Sequence, residues 1–387
     1  MSDNHSGQEH PRAATPSWPE LALVFLKLGT IAFGGPAAHV ALMEGEFVTR
    51  RRWLTPEQFL DRLAAANLLP GPSSTEMAIF IGYEMRGVVG LVIAGTCFIV
   101  PAAILVSLIA AGYLRYGTLP QVAGVFYGLK PVVIAIIIHA LWNLAHTAVK
   151  SRWLAVSGIA ATALYAIGVH ELLVLAAAAL LSAAPVTSWR TRSSSFFAGV
   201  GVAFPVVATA SAGAHFSLER LFFIFAKTGA VLFGSGYVLL AFLRADFVDR
   251  LHWLTQQQLI DAVAVGQVTP GPVFTTATFI GYVVGGPAGA LAATVGIFAP
   301  AFFFVGVSSK VLPRIRQSRV AASMLDGVVV GSLALMAVVA WQLGRTAIVD
   351  PATLAIAAAS AVLLIRFRIN SALLIVAAGV LGWLALR

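Results

Sequence analysis

Long apolar runs separated by short polar loops occupy most of the chain, and their lengths predict helices. The first run, at about 21–43, contains the glycine-rich sequence FGGP and is followed by a charged loop. A moderately apolar stretch at 57–84 comes next and is interrupted by the sequence PGP at 70–72. Four more apolar runs follow, near 88–114, 121–147, 153–169 and 171–186. A helix that crosses a membrane needs about 20 residues, so the runs predict transmembrane helices, of which the last two are short.

The whole series of segments occurs a second time in the chain. The sequence WLT at 53–55 returns at 253–255, and PGP at 70–72 returns at 270–272. The corresponding segments of the second part lie near 218–243, 256–282, 286–310, 321–344, 351–365 and 370–386. A repeat of this length predicts two homologous halves.

The repeat divides the chain into four parts. Residues 1–20 form a polar tail that we expect to be disordered, and it lacks the pattern of a cleavable signal peptide. The first repeat covers 21–186 and the second covers 217–387. The linker at 187–216 contains an apolar stretch at 196–214, and whether this stretch crosses the membrane is left open.

The predicted fold is an all-α polytopic membrane protein with an inverted repeat. Each stretch broken at PGP is too short for two full crossings, so we expect it to enter the membrane and return to the same face. Each half then has about five crossings, and an odd number places the halves upside down relative to each other. Most loop arginines and lysines collect on one face under this count, which predicts a cytoplasmic linker and both termini outside.

The overall composition excludes a water-soluble protein. Hydrophobic residues make up 59% of the 387 residues and charged residues only 11%, whereas a soluble domain is about half apolar and about a quarter charged. The net charge of +9 lies in short loops, so it reports orientation and does not indicate nucleic-acid binding. With Cys97 as the single cysteine, disulfides and cysteine metal sites are excluded, and no cofactor or metal is expected.

The two interrupted segments of each half indicate a transport site. Inverted repeats with discontinuous helices are typical of secondary transporters, whose sites lie where the repeats meet near the midplane. A proline in the first turn of a helix leaves the free N–H groups of that helix end available to an anion. The hydroxyls expected to join them are those of Ser73, Ser74 and Thr75 in the first half, and of Thr275 and Thr276 in the second. The alternative is that PGP only kinks the chain and that these hydroxyls bond to their own helices, but the duplication favours a site.

Two lysines and three unrepeated charges are further candidates. Lys27 and Lys227 occupy matching positions in the first segments, where they could face an anion or extend to the membrane surface. Glu76, Lys130 and Asp326 have no charged counterpart in the other half, which makes them candidates for coupling to protons. The alternative for these three is a structural role in salt bridges such as Lys130–Asp326 or Lys27–Glu76.

Several other polar residues are given a structural interpretation. His39 and His139 each lie near or within an apolar span without a second ligand at helical spacing, so both are interpreted as packed or interfacial histidines. Asp61 and Asp261 are repeated at the start of the short helix before PGP, and we expect them to cap that helix or pair with arginines.

Four quoted stretches resemble the paired signatures of the chromate ion transporter family, in its long-chain, two-domain form. They are FGGPAAHV, RRRWLTPEQFLD, NLLPGPSSTEMAIFIGY and VGQVTPGPVFTTATFIGY. The resemblance implies a multi-pass protein of the bacterial inner membrane that exports chromate by secondary transport coupled to the proton gradient, as an antiporter. It also assigns binding roles to the glycine-containing and PGP segments, namely Gly34, Gly35, Pro36, Gly234, Pro70, Gly71, Pro72, Pro270, Gly271 and Pro272. The second half departs from the first at Ser235 and Gly236, so the two breaks need not contribute equally.

Other functions were weighed against this one. An intramembrane enzyme is disfavoured because no pair of nucleophile and base, and no set of metal ligands, occurs at helical spacing. A passive anion channel and a transporter of sulfate or another anion are left as alternatives. The motifs do not identify which anion is bound, and they do not distinguish a channel from a carrier. The expected partners are a chromate-like or sulfate-like oxyanion, protons, the lipid bilayer and a second copy in a possible homodimer, but no nucleic acid.

Overall fold

The computed structural model describes residues 16–117, 119–187, 216–233 and 236–385, and these residues form helices and short connections. Most of the predicted tail and linker, as well as Gly234 and Ser235, lie outside the described residues. The first half contains α1 (Trp18–Ile31), α2 (Gly35–Glu44), a π-helical turn (Gly45–Arg50), α3 (Pro56–Ala66), α4 (Ser73–Tyr116), α5 (Pro120–Ala148), α6 (Arg152–Ala166) and α7 (Glu171–Thr187).

The second half repeats this order. It contains α8 (Leu218–Val231), a 3-10 turn (Gly236–Val238), α9 (Leu239–Leu243), a π-helical turn (Arg244–Arg250), α10 (Gln256–Val268), a 3-10 turn (Val273–Thr275), α11 (Thr276–Gln317), α12 (Arg319–Ala347), α13 (Pro351–Phe367) and α14 (Ser371–Ala385). The fold class of an all-α protein with two homologous halves is therefore confirmed.

The repeated WLT sequence explains why α3 and α10 begin where they do. Thr55 and Thr255 each accept a hydrogen bond from the backbone N–H three residues later, and a glutamine at that position, Gln58 or Gln258, bonds back. These capping boxes fix the first turn of each helix. Ser17 caps α1 in a similar way, so this helix begins at Trp18 and includes the last residues of the predicted tail.

Among the described residues, four helices are long and apolar enough to cross a membrane by length and composition. These spans are Ser73–Tyr116, Pro120–Ala148, Val273–Ser308 and Arg319–Ala347. α4 breaks at Arg86–Gly87 and α11 at Gly285–Gly286, where Gly87 has φ +61° and Gly286 has φ +63°. Each of these long helices therefore consists of a short first arm after PGP and a long second arm.

The second arms of α4 and α11 pack antiparallel, which shows the inversion of the two halves. Leu91, early in the long arm of α4, lies beside Gly306, late in that of α11, and Gly95 packs against the ring of Phe302. Residue numbers thus rise along one arm as they fall along the other. The breaks at Gly87 and Gly286 consequently lie at opposite ends of this pair of helices.

The first segment of each half was expected to cross the membrane, and this prediction is wrong. Arg51 lies 2.5 Å from the carboxylate of Glu20, and the Arg86 guanidinium donates to the carbonyl of Pro16. In the second half the rings of Phe216 and Trp253 are 5.3 Å apart. The start of each segment thus lies beside its own end, because α1 and α8 stop at a glycine-rich break and the chain turns back.

The correction changes the number of crossings. At most four helices of each half, α4 to α7 and α11 to α14, are left as candidates, instead of the five predicted. With an even number of crossings, the chain returns to the face of the membrane on which the half began. The number of crossings within one half therefore does not account for the inversion. The connection between the halves includes 188–215, which lie outside the described residues.

Each half is completed by a helix of the other. A Cβ on Gly128 of α5 would lie 2.1 Å from the carbonyl oxygen of Ala378 in α14, and one on Gly327 of α12 would lie 2.5 Å from that of Ala178 in α7. Such close backbone approach requires glycine on one side of each contact. The two matching contacts hold a helix of each repeat tightly against a helix of the other.

Candidate functional site

The turn that precedes each PGP helix meets the break in the first segment of the opposite half. The N–H of Gly71 donates to the carbonyl of Leu232 at 2.8 Å, and the N–H of Gly271 donates to the carbonyl of Ala32 at 2.8 Å. Ala32 and Leu232 are the residues at which α1 and α8 end. We call these two hydrogen bonds and their four residues the crossing junction.

The crossing junction lies inside the membrane region of the protein. Ala32 follows Glu20 by 12 residues, so the junction lies about 18 Å along α1 from the ion pair of Glu20 and Arg51. The hydrocarbon core is about 30 Å thick. A carbonyl at this depth has no water to bond with, and the opposite half supplies the missing donor.

Glycine is required on the donor side of the junction. Gly71 has φ +141° and Gly271 has φ +86°, which other residues rarely adopt. A Cβ on Gly271 would also lie 2.7 Å from the Cβ of Ala102 in α4. The flanking prolines fix the backbone on either side of each glycine, and Pro72 and Pro272 directly precede the helical turns that follow.

The three hydroxyl side chains at the start of α4 differ in their exposure and in their hydrogen bonds. Ser73 is partly exposed, and Ser74 is buried with its Oγ 3.1 Å from Nδ1 of His39. Thr75 is completely buried, and its Oγ1 has no hydrogen-bond partner among the described residues. An unpaired hydroxyl at the end of a buried helix is a donor available to an anion.

The hydroxyls of the second half are used locally. Thr275 donates to the carbonyl of Pro272 and Thr276 to that of Val273, both at 2.8 Å. The expectation that the second PGP copies the first is thus wrong for these side chains, and the local alternative is correct there. Because Val273 and Phe274 stand where the first half has two serines, the second site lacks the additional hydroxyls.

His39 is packed in the interior, as the sequence predicts, and it also contacts the candidate site. It lies on α2 and is only 1% exposed, with Nε2 3.1 Å from the carbonyl oxygen of Ala32 and Nδ1 on Ser74. The ring also packs edge-on against Phe98. His39 therefore connects the break in the first segment to the first turn of α4.

Glu76 is buried beside the first PGP turn. Its side chain is 0% exposed, and neither carboxylate oxygen has a hydrogen-bond partner among the described residues. Oε1 lies 2.7 Å from the position that a Cβ on Gly71 would take. The alternative salt bridge from Lys27 to Glu76 is absent from this described part of the chain, because Lys27 lies exposed on α1.

Lys130 pairs with Asp261, so the alternative salt bridge to Asp326 is wrong. The ammonium of Lys130 lies 3.0 Å from Oδ1 of Asp261, and the hydroxyl of Tyr113 donates to Oδ2 at 2.9 Å. Lys130 is 8% exposed and Asp261 is 4% exposed. Asp326 instead pairs with Lys150 at 2.8 Å. Asp261 is thus a buried ion-pair partner, whereas its repeat counterpart Asp61 is exposed.

The two repeated lysines differ in their surroundings. Lys227 lies 2.6 Å from Asp246, which also pairs with Arg250 at 2.6 Å. Arg250 in turn bonds to Glu171 at the start of α7. Lys227 is thereby held in a network of ion pairs, whereas the side chain of Lys27 is exposed on α1.

The glycine-containing break of the first half lies next to an apolar groove. Gly34 has φ +103° and Gly35 has φ +80°, so the chain turns sharply where α2 begins, and Pro36 is the second residue of that helix. The groove has a volume of about 470 Å³ and is lined by Phe33, Val268, Asn370, Ala372, Leu373, Val376 and Ala377. It extends from Phe33, directly before the break, to Val268, the last residue of α10. Gly234, the matching glycine, lies outside the described residues.

Comparisons with known proteins identify a family that matches both halves of the chain. A family model described as “Chromate transporter” matches residues 19–183 and again residues 219–383. A “Chromate transport protein” of Cupriavidus metallidurans is 31% identical over 96% of this chain and 94% of its own length. One of the same description from Pseudomonas aeruginosa is 33% identical over 95% of this chain and 92% of its own length.

A further relative extends the range of organisms. A “Probable chromate transport protein” of Synechococcus elongatus is 31% identical, over 86% of both chains. No solved structure matches this chain. The two family matches cover both repeats, and together they take in most of the sequence. The chain therefore belongs to the chromate transporter family.

Proposed function

We propose that the protein is a secondary active transporter that exports chromate across the bacterial inner membrane and is coupled to the proton gradient. The observation that carries the proposal is the crossing junction, where interrupted helices of two inverted repeats meet beside the unpaired hydroxyl of Thr75. Buried, fixed donors of this kind suit an oxyanion, because they bind charge without first having to reorganise. Export from the cell would give chromate resistance.

The anion is proposed to bind at the start of α4. The first turn of this helix offers backbone N–H groups and the positive end of its dipole, and Thr75 adds an unpaired hydroxyl. Ser73 lies at the more exposed edge of the same turn. Lys27 is the proposed cation on the approach, since its side chain is exposed and carries a charge that favours a dianion.

Glu76 is the proposed proton carrier. A charged carboxylate that is completely buried without a hydrogen-bond partner would be costly, so the arrangement favours the protonated form. Its position beside Gly71 links its charge to the PGP turn that forms the anion site. The ion pair of Lys130 and Asp261 is a second candidate, and Asp326 is weaker because its partner Lys150 is exposed.

Two alternatives share the same site. Sulfate has the charge and shape of chromate, so a sulfate transporter would use the same donors. A passive channel would also use them, but its flux would not follow an imposed proton gradient. A homodimer in the membrane is a further proposal that does not affect this choice.

Uptake by everted inner-membrane vesicles tests the proposal, because uptake there corresponds to export from the cell. We expect saturable chromate uptake that accelerates when the vesicle interior is made acid and slows when an ionophore collapses the gradient. Unlabelled sulfate in the same assay measures the preference between the two oxyanions. Flux that is linear in chromate concentration and insensitive to the gradient would indicate a channel and overturn the proposal.

The matched variants are Lys27→Ala, Ser73→Ala and Ser74→Ala, with Ser107→Ala as a control. Ser107 bonds to the carbonyl of Ala103 on its own helix and lies away from the junction. If all three site variants transported chromate at the parental rate, the proposed binding site would be wrong even if the protein were a chromate transporter.

A further inference from the structure

The hydrogen bonds of His39 fix which ring nitrogen carries the proton. The carbonyl oxygen of Ala32 can only accept a hydrogen bond, so Nε2 at 3.1 Å must be the donor. In a neutral imidazole the other nitrogen, Nδ1, is then an acceptor. The hydroxyl of Ser74, at 3.1 Å from Nδ1, therefore donates its hydrogen to His39.

This direction removes Ser74 from the set of donors that an anion can use. A serine hydroxyl has one hydrogen, and neutral His39 holds it. Ser74 otherwise lies in the first turn of α4, between Ser73 and the unpaired hydroxyl of Thr75. In the resting arrangement its oxygen presents lone pairs, which repel an oxyanion.

Protonation of His39 reverses the bond. Both ring nitrogens of the imidazolium are donors, so Nδ1–H would donate to Oγ of Ser74, and Nε2–H would keep its bond to Ala32. The Ser74 hydrogen would then be free to rotate towards the anion. No covalent bond changes apart from the N–H bond formed at Nδ1, whose proton is taken up from the aqueous medium when the anion binds.

We propose that His39 is a positioning residue that controls Ser74, so that a proton on His39 turns the Ser74 hydroxyl from the imidazole to the bound oxyanion. Resting on the proposed function, the inference concerns only the binding step, and the proton on His39 is distinct from the driving proton, which Glu76 is proposed to carry in the opposite direction. A dianion beside a buried imidazole stabilises the imidazolium, which links the two events. Ala32 also accepts the N–H of Gly271, so the ring is anchored at the crossing junction.

The surroundings leave His39 as the group that responds to the anion through Ser74. None of the charged side chains on the elements packed against α2 hydrogen-bonds to the ring. Those in the described part of the chain are Glu20 and Lys27 on α1, Glu46 and Arg50 on the π-helical turn, and Glu76, Glu84, Arg86 and Arg115 on α4. Of these, Glu76 lies closest in sequence to Ser74, and it is the proton carrier proposed above for a different step.

The first test is ¹⁵N NMR of the full chain in lipid nanodiscs, with labelled histidine and sodium chromate as the probe. We expect His39 to carry its proton on Nε2 without chromate and on both nitrogens with chromate. His39→Gln identifies the signal by its loss. A resting proton on Nδ1, or a ring that stays neutral when chromate saturates the protein, would overturn the inference.

The second test is the pH dependence of chromate KM in proteoliposomes. In the parental protein KM should rise about tenfold between about pH 6 and pH 8, as one hydrogen bond to a charged group is lost. His39→Gln cannot take up a proton, so its KM should keep only the pH dependence that comes from ionisation of hydrogen chromate in this range, and Ser74→Ala should lose the same part of the parental rise. His146→Gln, an exposed histidine on α5, should keep the parental profile.

The outcomes separate this inference from the proposed function. Chromate transport with a His39→Gln profile parallel to the parental one would overturn the role of His39 and leave the function intact. A parental protein that moves no chromate would overturn the function, and the NMR titration would then decide the inference by whether the anion protonates the ring. If His39→Gln fails to fold, Ser74→Ala and the parental NMR spectrum carry the test.

Discussion

The backbone N–H of Gly71 donates to the carbonyl oxygen of Leu232, 2.8 Å away in the other half of the chain. The matching pair, Gly271 and Ala32, repeats the bond with the halves exchanged. Each helix break thus leaves a carbonyl that the opposite repeat satisfies. Neither break is satisfied without the other half, so separating the halves at this point would leave both carbonyls without these donors.

We expect Gly271→Ala to reduce chromate transport severely. The backbone there has φ +86°, and the new Cβ would lie 2.7 Å from that of Ala102. The unfavourable conformation alone costs about 1–3 kcal/mol, and the clash forces the PGP turn away from Ala32. Initial rates in everted vesicles measure the effect, with the amount of inserted protein as the reference.

Gly112→Ala is the matched control for this variant. No atom lies within 4 Å of a Cβ at Gly112, and this glycine lies within the helix α4. It should transport normally. Parental transport by Gly271→Ala would show that the junction tolerates a displaced turn, which contradicts a functional role for the bond.

The repeat and the PGP breaks could be predicted from the sequence because their signals are local. Apolar run lengths, capping boxes such as that of Thr55, and the matching PGP sequences each lie within a short window. The turn at Gly34 was harder to interpret. The run at 21–43 has the length of a crossing, and only the ion pair of Glu20 with Arg51 shows that the chain returns.

The contacts between halves could not be predicted in the same way. Lys130 and Asp261 lie on different repeats, and the repeat does not reveal that they form a pair. The residue that corresponds to Lys130 is the uncharged Val329, and the residue that corresponds to Asp261 is the exposed Asp61. The bond from Gly71 to Leu232 joins backbone atoms and leaves no side-chain signal. His39 was assigned to packing because a single histidine has no spacing pattern, although its burial beside Ser74 became clear once α2 was placed.

The buried ion pair of Lys130 and Asp261 should stabilise the fold only as a pair. Lys130→Met or Asp261→Asn leaves one buried charge or amide without its partner, and breaking such a pair costs about 3–5 kcal/mol. We expect the melting temperature in detergent to fall in each single variant and to recover largely in the double variant. Lys150→Met, which removes the more exposed pair with Asp326, should change stability by no more than about 1 kcal/mol. Equal effects of Lys130→Met and Lys150→Met would contradict the difference in burial.

Corresponding threonines of the two PGP helices should differ in their effect on chromate affinity. Thr75→Val removes a buried hydroxyl with no partner in the described structure, so the KM for chromate should rise by about tenfold if that hydroxyl donates to the anion. Thr275→Val removes only a bond to the carbonyl of Pro272, and its KM should change much less. The exchange of threonine for valine keeps the shape of the side chain in both halves. A larger effect in the second half would place the anion at the other PGP turn.

Glu76→Gln should separate chromate binding from the response to the proton gradient. Glutamine keeps the size of the buried side chain and resembles the protonated carboxyl group, so the anion site beside Gly71 should stay intact. It cannot release or accept a proton, and uptake into everted vesicles should therefore no longer accelerate when the interior is made acid. Glu84→Gln is the control, since Glu84 is partly exposed and pairs with Arg62 at 2.6 Å. If Glu76→Gln kept the full response to the gradient while Glu84→Gln behaved like the parent, the coupling group would have to be sought elsewhere, first at Lys130 and Asp261.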